Sequence, residues 1–323
     1  MCTAISFQSK DHYFGRNLDF TTAFDTAVTV MPPNYPITLR NGELFLNQYG
    51  MIGMAMVTDG YPLFFDATNE KGLSIAGLNF PNNAVYHPPK TDKYNITPFE
   101  LTPWLLGICS NLQEAKAALS KINLTNISYS STLPLTPLHW LVADSAGALV
   151  IESTNKGLEI YEDPIGILTN NPPFPYQLYN LTNYMNVTAE EPTNRFSPKY
   201  PLEPYSYGMG GIGLPGDLSS ASRFVRAAFT KLNAVCEESE EESVSQFFHI
   251  LGAVSQQRGC TKVGSDYEIT LYSSCCNTQK GIYYYTTYEN RQITAVRMTK
   301  EALASQTLIS YPLRKKQRIL YEN

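Results

Sequence analysis

The alternation of apolar and polar residues predicts β-strands near both ends of the chain. Close to the N-terminus, CTAISFQ and HYFGRNL flank the polar triplet SKD, which is typical of a β-hairpin. Further along, ITLR and ELFL flank Asn41-Gly42, a pair that favours a type I′ turn. MIGMAMV and GLSIAGLNF are apolar on both faces, so we expect these strands to be covered on both sides.

Further strand-like segments follow, and helical segments lie between the blocks of strands. The strand-like segments are HWLVAD, ALVIEST, GLEIYE, EITLYSSC, KGIYYYTTYE and RQITAVRM. The helical segments are TPFELTPWLLGICS, predicted to begin at Thr97 with Pro98 in its first turn, NLQEAKAALSKI, DLSSASRFVRAAFTKLNAV and EEESVSQFFHILGAVSQQ. Because strands and helices do not alternate regularly, we expect two mostly antiparallel sheets between helix layers. No Gly/Ser- or Pro-rich linker divides the chain, which predicts a single domain over residues 1–323.

Composition and charge exclude several classes of function. The chain has 323 residues, of which 43% are hydrophobic and 16% charged, and its net charge is −5. It has no basic stripe, so nucleic acid is not an expected partner. It has no apolar run of the ~18–20 residues that cross a bilayer, so stable membrane association is not expected. The first residues also lack the pattern of a signal peptide, and we predict a cytoplasmic protein with free cysteines.

Two motif types that often indicate function have the wrong context here. GMGGIG, at residues 208–213, matches the dinucleotide-binding pattern, but no strand precedes it and no helix follows at once, which favours a loop. The four histidines show no metal-ligand spacing, and we expect neither a metal nor an organic cofactor. A catalytic Cys–His pair stays open, because such partners meet only in the folded chain.

Cys2 is the best chemical candidate. Loss of Met1 would give this residue both a thiol and a free α-amine, a nucleophile with its own base, with ordinary pKa values of ~8.5 and ~7.7–8.0. If the first two segments form a hairpin, Cys2 faces Asn17 or Leu18, with Arg16 and Asp19 close by. A cation near the sulfur would favour thiolate, and a carboxylate could hold the amine. An ordinary buried cysteine beside a surface Arg–Asp pair is an equally weighted interpretation.

Several segments spread over nearly the whole chain resemble one known family. They are MCTAISF, FGRNLDF, NEKGLSIAGLNFP, LHWLVAD, GILTNNPPF, GLPGDLSSASRFVRAAF and KGIYYYTTYENRQITAV. Together they are similar to the choloylglycine hydrolases, which comprise bile salt hydrolases and penicillin V acylases and are N-terminal-nucleophile hydrolases. The resemblance implies an α+β fold, a four-layer αββα sandwich of two antiparallel sheets. It also implies a homotetramer.

The resemblance assigns roles to six residues by matching motifs. It implies that Cys2 is the nucleophile, with Arg16 as its neighbour and Asp19 as the partner of the α-amine. The backbone N–H of Asn79 and the side-chain amide of Asn170 would stabilise the oxyanion. Arg223 would be a polar residue near the nucleophile, by its match in the SSASRF motif.

The same resemblance suggests the substrate and leaves alternatives open. Asparagine rather than tyrosine at position 79 favours conjugated bile salts, whose amide bond to glycine or taurine would be cleaved through a thioester. Candidates for the apolar acyl pocket are Leu18, Phe24, Phe65, Leu133, Leu135 and Leu138, which could equally be core or loop residues. The alternatives are a penicillin V acylase, an N-acyl homoserine lactone acylase and a non-catalytic steroid- or lipid-binding protein.

Overall fold

A computed structural model describes residues 1–323 of the chain. The strands are β1 (Cys2–Gln8), β2 (His12–Phe20), β3 (Ala27–Met31), β4 (Pro36–Thr38), β5 (Leu44–Leu46), β6 (Met51–Thr58), β7 (Tyr61–Asn69), β8 (Ser74–Asn79), β9 (Tyr94–Ile96), β10 (Ile122–Leu124), β11 (Leu138–Asp144), β12 (Gly147–Thr154), β13 (Gly157–Glu162), β14 (Ile167–Leu168), β15 (Lys262–Val263), β16 (Asp266–Tyr267), β17 (Ile269–Asn277), β18 (Ile282–Thr287), β19 (Asn290–Arg297) and β20 (Ile309–Pro312). The helices are α1 (Leu101–Ile108), α2 (Leu112–Leu119), α3 (Phe174–Asn180), α4 (Ser220–Leu232), α5 (Glu240–Gly252) and α6 (Lys300–Leu303), with 3₁₀ turns at Leu181–Tyr184 and Met209–Gly211.

Two antiparallel sheets form the centre of the fold. Sheet A has six strands in the order β14-β1-β2-β17-β18-β19, and sheet B has eight in the order β13-β12-β11-β8-β7-β6-β3-β20. Helices α4 and α5 pack on sheet A, while α1 and α2 pack on sheet B. The predicted αββα sandwich is therefore confirmed. None of the helices is long and apolar enough to span a bilayer.

Strands that are apolar on both faces contribute to two hydrophobic cores. In β11, Trp140 and Val142 lie in the cluster between sheet B and the α1–α2 layer. Leu141 and Ala143 lie in the larger cluster that joins the two sheets and the α4–α5 layer. Because side chains alternate along a strand, a continuous apolar run fills both cores at once.

Two local predictions are wrong. Helix α1 begins at Leu101 rather than Thr97, because residues 97–100 form a turn in which the Glu100 carboxylate accepts the Thr97 N–H at 2.8 Å. The Asn41-Gly42 hairpin has no type I′ turn, since only Gly42 has a positive φ, of 87°. Leu39 and Glu43 close a three-residue loop there by a backbone hydrogen bond of 2.9 Å.

Candidate active site

The register of the first hairpin sorts the candidate residues onto two faces of sheet A. Cys2 pairs with Leu18 and Ala4 with Arg16, so Cys2 faces one of the two residues predicted. Side-chain alternation places Cys2 and Arg16 on the face towards sheet B, which we call the thiol side. Asp19 lies on the opposite face, towards α4 and α5, which we call the amine side.

On the thiol side, Arg16 is held beside the Cys2 thiol by the neighbouring sheet. Cys2 is 4% exposed and Arg16 is fully buried. The Arg16 Nη1 donates to the carbonyl of Phe65 at 2.9 Å and also to the carbonyl of Gly77. Phe65 lies at a bulge in the β6–β7 pairing, and bulges commonly re-aim groups near active sites. Although burial opposes its charge, interactions with Cys2, Tyr272 and Asp66 raise the pKa of Arg16.

Gly15 allows the close approach that places Arg16. A Cβ atom at this position would come within 1.9 Å of the Ser274 carbonyl oxygen on β17. The adjacent Arg16 N–H donates to the Ser274 hydroxyl at 3.1 Å. A side chain at residue 15 would therefore separate β2 from β17 at this point.

Asp66 on β7 completes the thiol side. Its carboxylate accepts hydrogen bonds from Tyr272 Oη at 2.6 Å, Tyr283 Oη at 2.6 Å and Ser274 Oγ at 3.2 Å. Burial raises the pKa of Asp66, while the Arg16 charge and these three hydroxyl groups act in the opposite direction. Asp66 thus links sheet B to two strands of sheet A.

The amine side contains a second buried acid and a second buried arginine. Asp19 Oδ1 accepts a hydrogen bond from Thr270 Oγ1 at 2.6 Å. Asp19 Oδ2 lies 4.0 Å from Arg223 Nη1 and has no hydrogen-bond partner. Burial raises the pKa of Asp19, opposed by Arg223, the N-terminal amine, the Thr270 hydroxyl and Arg16. A bulge in the β2–β17 pairing falls at Leu271, beside these residues.

Arg223 connects the first helical turn of α4 to the start of β1. The helix begins after Ser219, whose hydroxyl accepts the Ser222 N–H. From α4, Arg223 Nη1 donates to the Cys2 carbonyl at 2.6 Å and to Thr3 Oγ1 at 2.6 Å. Its Nη2 donates to Asn170 Oδ1 at 2.7 Å. Burial lowers the pKa of Arg223, while Asp19 and Cys2 act to raise it.

Asn170 joins Cys2 to Asn79. It follows β14, which pairs with β1. Its Oδ1 accepts the Cys2 N–H at 2.8 Å, and its Nδ2 donates to the Asn79 carbonyl at 2.6 Å. The second N–H of this amide is left free to donate, since an asparagine amide carries two.

Met1 occupies the end of β1 ahead of Cys2. The Met1 carbonyl accepts the Asp19 N–H at 2.9 Å, and the Met1 amine donates to the Asp19 carbonyl at 2.9 Å. The amine also forms an ion pair with Glu268. Burial lowers the pKa of this amine. While Met1 is attached, the Cys2 nitrogen is an amide and has no lone pair to act as a base.

The proposed acyl-pocket residues are only partly grouped. Leu18 and Phe24 line a cavity of about 260 Å³, and the Phe65 ring packs against Phe24 with 5.1 Å between ring centroids and an interplanar angle of 48°. Leu138 pairs with Asn79. Leu133 and Leu135 lie half-buried in the loop before β11. A larger cavity of about 500 Å³ lies between α5 and β17–β19, but its lining is mainly polar and suits an apolar acyl group poorly.

The structure brings all six motif residues into one connected group, and it adds residues that the sequence interpretation missed. The missed residues include Asp66, Thr270, Thr3 and Glu268. A single acidic residue inside the apolar run YPLFFDATN was the one available signal for Asp66. Hydroxyl groups of Thr3 and Thr270 carry no comparable signal, because threonine is common in strands.

Together, the αββα fold and the site define a class of protein. A cysteine at the start of a strand lies beside a buried cation, with an asparagine amide on its nitrogen and a carboxylate nearby, which suits nucleophilic attack on an amide carbonyl. The model of the choloylglycine hydrolase family, described as linear amide C–N hydrolases, matches residues 2–311. The chain belongs to this family and is a linear amide C–N hydrolase.

Curated relatives and solved structures match over almost the full chain. A bile salt hydrolase/transferase from Lactiplantibacillus plantarum is 55% identical over 97% of each chain. A bile salt hydrolase/transferase from Clostridium perfringens is 36% identical over 98% of each chain. The crystal structure of a variant of the C. perfringens conjugated bile acid hydrolase superposes with a TM-score of 0.93, covers 100% of both chains and is 35% identical.

Proposed function

We propose that the protein hydrolyses conjugated bile salts at the amide bond that joins the bile acid to glycine or taurine. The observation that carries the proposal is the connected group of Cys2, Asn170 and Asn79, joined by hydrogen bonds of 2.8 and 2.6 Å. The names of the relatives that are 55% and 36% identical supply the substrate class.

In the proposed acylation step, the Cys2 sulfur attacks the amide carbonyl carbon. The α-amine of Cys2, free once Met1 is removed, takes the thiol proton and transfers it to the departing nitrogen of glycine or taurine. The buried charge of Arg16 favours the thiolate. The Asn79 N–H and the free N–H of the Asn170 amide donate to the oxyanion of the tetrahedral intermediate.

In the proposed deacylation step, water replaces the departed amino acid. The α-amine removes a proton from the water as the water oxygen attacks the thioester carbon. The carbon–sulfur bond then breaks, which releases the bile acid and regenerates the free Cys2 side chain. Asp19 Oδ2, buried without a hydrogen-bond partner, is the group available to orient the amine. Arg223 binds the Cys2 carbonyl at 2.6 Å and holds the end of β1 in place.

The steroid would occupy the cavity that Leu18 and Phe24 line, with the tilted ring of Phe65 packed against Phe24. Apolar and aromatic walls are what a steroid requires. Leu133, Leu135 and Leu138 do not line this cavity, and we propose them as a separate contact surface for the acyl group. No step of this mechanism requires a cofactor.

We further propose a homotetramer in the cytoplasm. The segment that leads into α4 exposes several large apolar side chains, which in a stable soluble protein usually mark an interface. They are Met185, Phe196, Tyr200, Tyr205, Tyr207 and Ile212, each at least 63% exposed. All six cysteines are free thiols, as is usual in a reducing compartment. Light scattering should give about four times the 36.1-kDa chain mass, and a monomer would contradict the tetramer.

The experiment that tests the function measures amino-acid release from glycine- and taurine-conjugated bile salts, with penicillin V as a comparison. We expect both conjugates to be cleaved with a higher kcat/KM than penicillin V. Faster cleavage of penicillin V would favour an acylase with a different acyl pocket. Binding of bile salts without any release would indicate a steroid-binding protein.

A further inference from the structure

The proposed mechanism assigns no role to Asp66, the buried acid on the thiol side. Asp66 is 2% exposed and its carboxylate receives three hydroxyl hydrogen bonds, two of them 2.6 Å long. Three such hydrogen bonds fix the orientation of the carboxylate. Burying a charged carboxylate is costly unless a cation is near. The neighbouring residue, Phe65, supplies the carbonyl that binds Arg16 at 2.9 Å.

Arg16 is a buried cation whose hydrogen bonds go to neutral groups. Its guanidinium donates to the backbone carbonyls of Asn17, Phe65 and Gly77, while Nη2 is buried without a partner. A fully buried charge needs an opposite charge nearby. Two groups that can carry a negative charge interact with Arg16 on the thiol side, the Cys2 side chain and the Asp66 carboxyl group.

No other titratable group near the thiol supplies a second negative charge on the thiol side. Tyr272 and Tyr283 stay neutral, because burial raises the pKa of each far above its ordinary value. Cys276, also on the face towards sheet B, stays a thiol, since burial raises its pKa to about 12. Asp19, Arg223, Glu268 and the N-terminal amine belong to the amine side of the strand end.

We propose that Asp66 is a positioning residue for the reaction, sharing the Arg16 charge with Cys2 and so setting how readily the Cys2 thiol ionises. The inference rests on the proposed role of Cys2 as the nucleophile. With Asp66 ionised, part of the Arg16 charge is already neutralised and the thiolate gains less from it. Without the Asp66 charge, the thiolate becomes the sole counter-ion of Arg16.

The test is the pH dependence of Cys2 alkylation by iodoacetamide, followed by the mass of the N-terminal peptide from Met1-free protein. Asp66→Asn keeps the shape and removes the charge. Its single amide oxygen can still accept from one tyrosine hydroxyl, while its NH2 group can donate to the oxygen of the other. We expect its alkylation midpoint to fall by about one pH unit, with the acidic limb of kcat/KM moving the same way. Glu100→Gln is the matched control, since Glu100 is also a buried acid whose pKa is raised by burial. Its midpoint should not move.

A second pair of variants keeps the test decisive if Asp66→Asn folds poorly. Arg16→Met should raise the midpoint, because the thiol then faces the Asp66 charge alone. Adding Asp66→Asn to Arg16→Met should lower the midpoint again. Equal midpoints in these two variants, or an unchanged midpoint in folded Asp66→Asn, would overturn the proposal. Since alkylation needs no substrate, failure of bile salt cleavage in the wild type is a separate outcome that rejects the proposed function instead.

Discussion

The two sides of sheet A at the start of β1 each contain one buried arginine and one buried aspartate, but the pairs are arranged differently. On the amine side, Arg223 and Asp19 are 4.0 Å apart, and Arg223 also binds the Cys2 backbone. On the thiol side, Arg16 binds carbonyls and Asp66 binds hydroxyls, so the two charges are not in direct contact.

In the proposed mechanism, this difference separates the surroundings of the Cys2 thiol from those of its α-amine. The alternation of side chains along β1 sends the Cys2 thiol towards sheet B, while its nitrogen stays at the strand end near Asp19 and Asn170. The amine side holds the backbone in place, and the thiol side is free to stabilise a charge that develops on sulfur. Variants on the two sides should therefore fail in different ways.

The largest effect is expected from Cys2→Ala, which removes the group common to both sides. We predict a fall in kcat of at least about 10³-fold, because the covalent step is lost while oxyanion donors remain. Bile salt binding should persist, as measured by calorimetry. Cys276→Ala is the control, a buried thiol on the same sheet, and it should keep its activity. Unchanged amino-acid release by Cys2→Ala would contradict the nucleophile assignment.

Asn170→Ala should have the next largest effect, because this side chain touches both sides. Loss of one oxyanion donor typically lowers kcat about 10²- to 10³-fold, and we expect a loss in this range with a smaller change in KM. Asn171→Ala changes the adjacent asparagine, whose amide binds the Pro81 carbonyl. Steady-state kinetics should show a much smaller fall in kcat for Asn171→Ala than for Asn170→Ala. Equal falls in kcat would indicate a general disturbance of this loop.

Asp19→Asn tests the amine side alone. The amide can still accept the Thr270 hydrogen bond but no longer attracts the α-amine, so kcat should fall about 10- to 100-fold, part of a typical acid–base contribution. The alkylation midpoint of Cys2 should move less than in Asp66→Asn. A larger shift in Asp19→Asn than in Asp66→Asn would show that the two sides are not electrostatically distinct.

The smallest effect on catalysis is expected at the far end of the same hairpin. Burial lowers the pKa of His12 from 6.5 to about 4. Below pH 6.5 His12 binds a proton in the unfolded chain, but in the folded chain it binds one only below about pH 4. The free energy of unfolding therefore falls as the pH drops from 6.5 to 4. The total decrease in this free energy is on the order of 3 kcal/mol.

His12→Asn should therefore flatten the dependence of Tm on pH between 6.5 and 4 without moving the pH profile of kcat/KM. Thermal unfolding followed at several pH values checks the first expectation, and steady-state kinetics check the second. An equally steep Tm profile in the variant would assign the acid sensitivity to other groups.

The sequence predicted the fold where local and long-range preferences agree. The β1–β2 hairpin follows from its strand-like segments around a polar turn, and the strands apolar on both faces follow from their continuous apolar runs. The hairpin left Asn17 and Leu18 open as the residue opposite Cys2, and the structure selects Leu18. Strand β7 was not predicted, because Asp66 interrupts its apolar run. Helix α1 was placed four residues too early, since Pro98 suits a helix start and a turn equally well.

Hairpin geometry predicted that Arg16 and Asp19 lie near Cys2, but the distant residues of the candidate site were assigned by motif alone. The sequence distances that separate Cys2 from Asn79, Asn170 and Arg223 mean that only the sheet order brings these residues together. Bulges at Phe65 and Leu271 change the direction of the backbone carbonyls and side chains next to them. No local sequence pattern specifies these two bulges. Asp66 was missed for the same reason, because its partners Tyr272 and Tyr283 lie more than 200 positions away along the chain.

In the proposed mechanism Cys2 acts as a chain terminus, with its own amine as the base. The most direct measurement compares cleavage of a conjugated bile salt by two preparations of the wild-type chain, one with Met1 removed and one with Met1 retained by inhibiting methionine aminopeptidase in the expression host, each verified by intact mass. We predict that the Met1-free protein is active and that the Met1-bearing protein is inactive. Equal kcat in both preparations would contradict it.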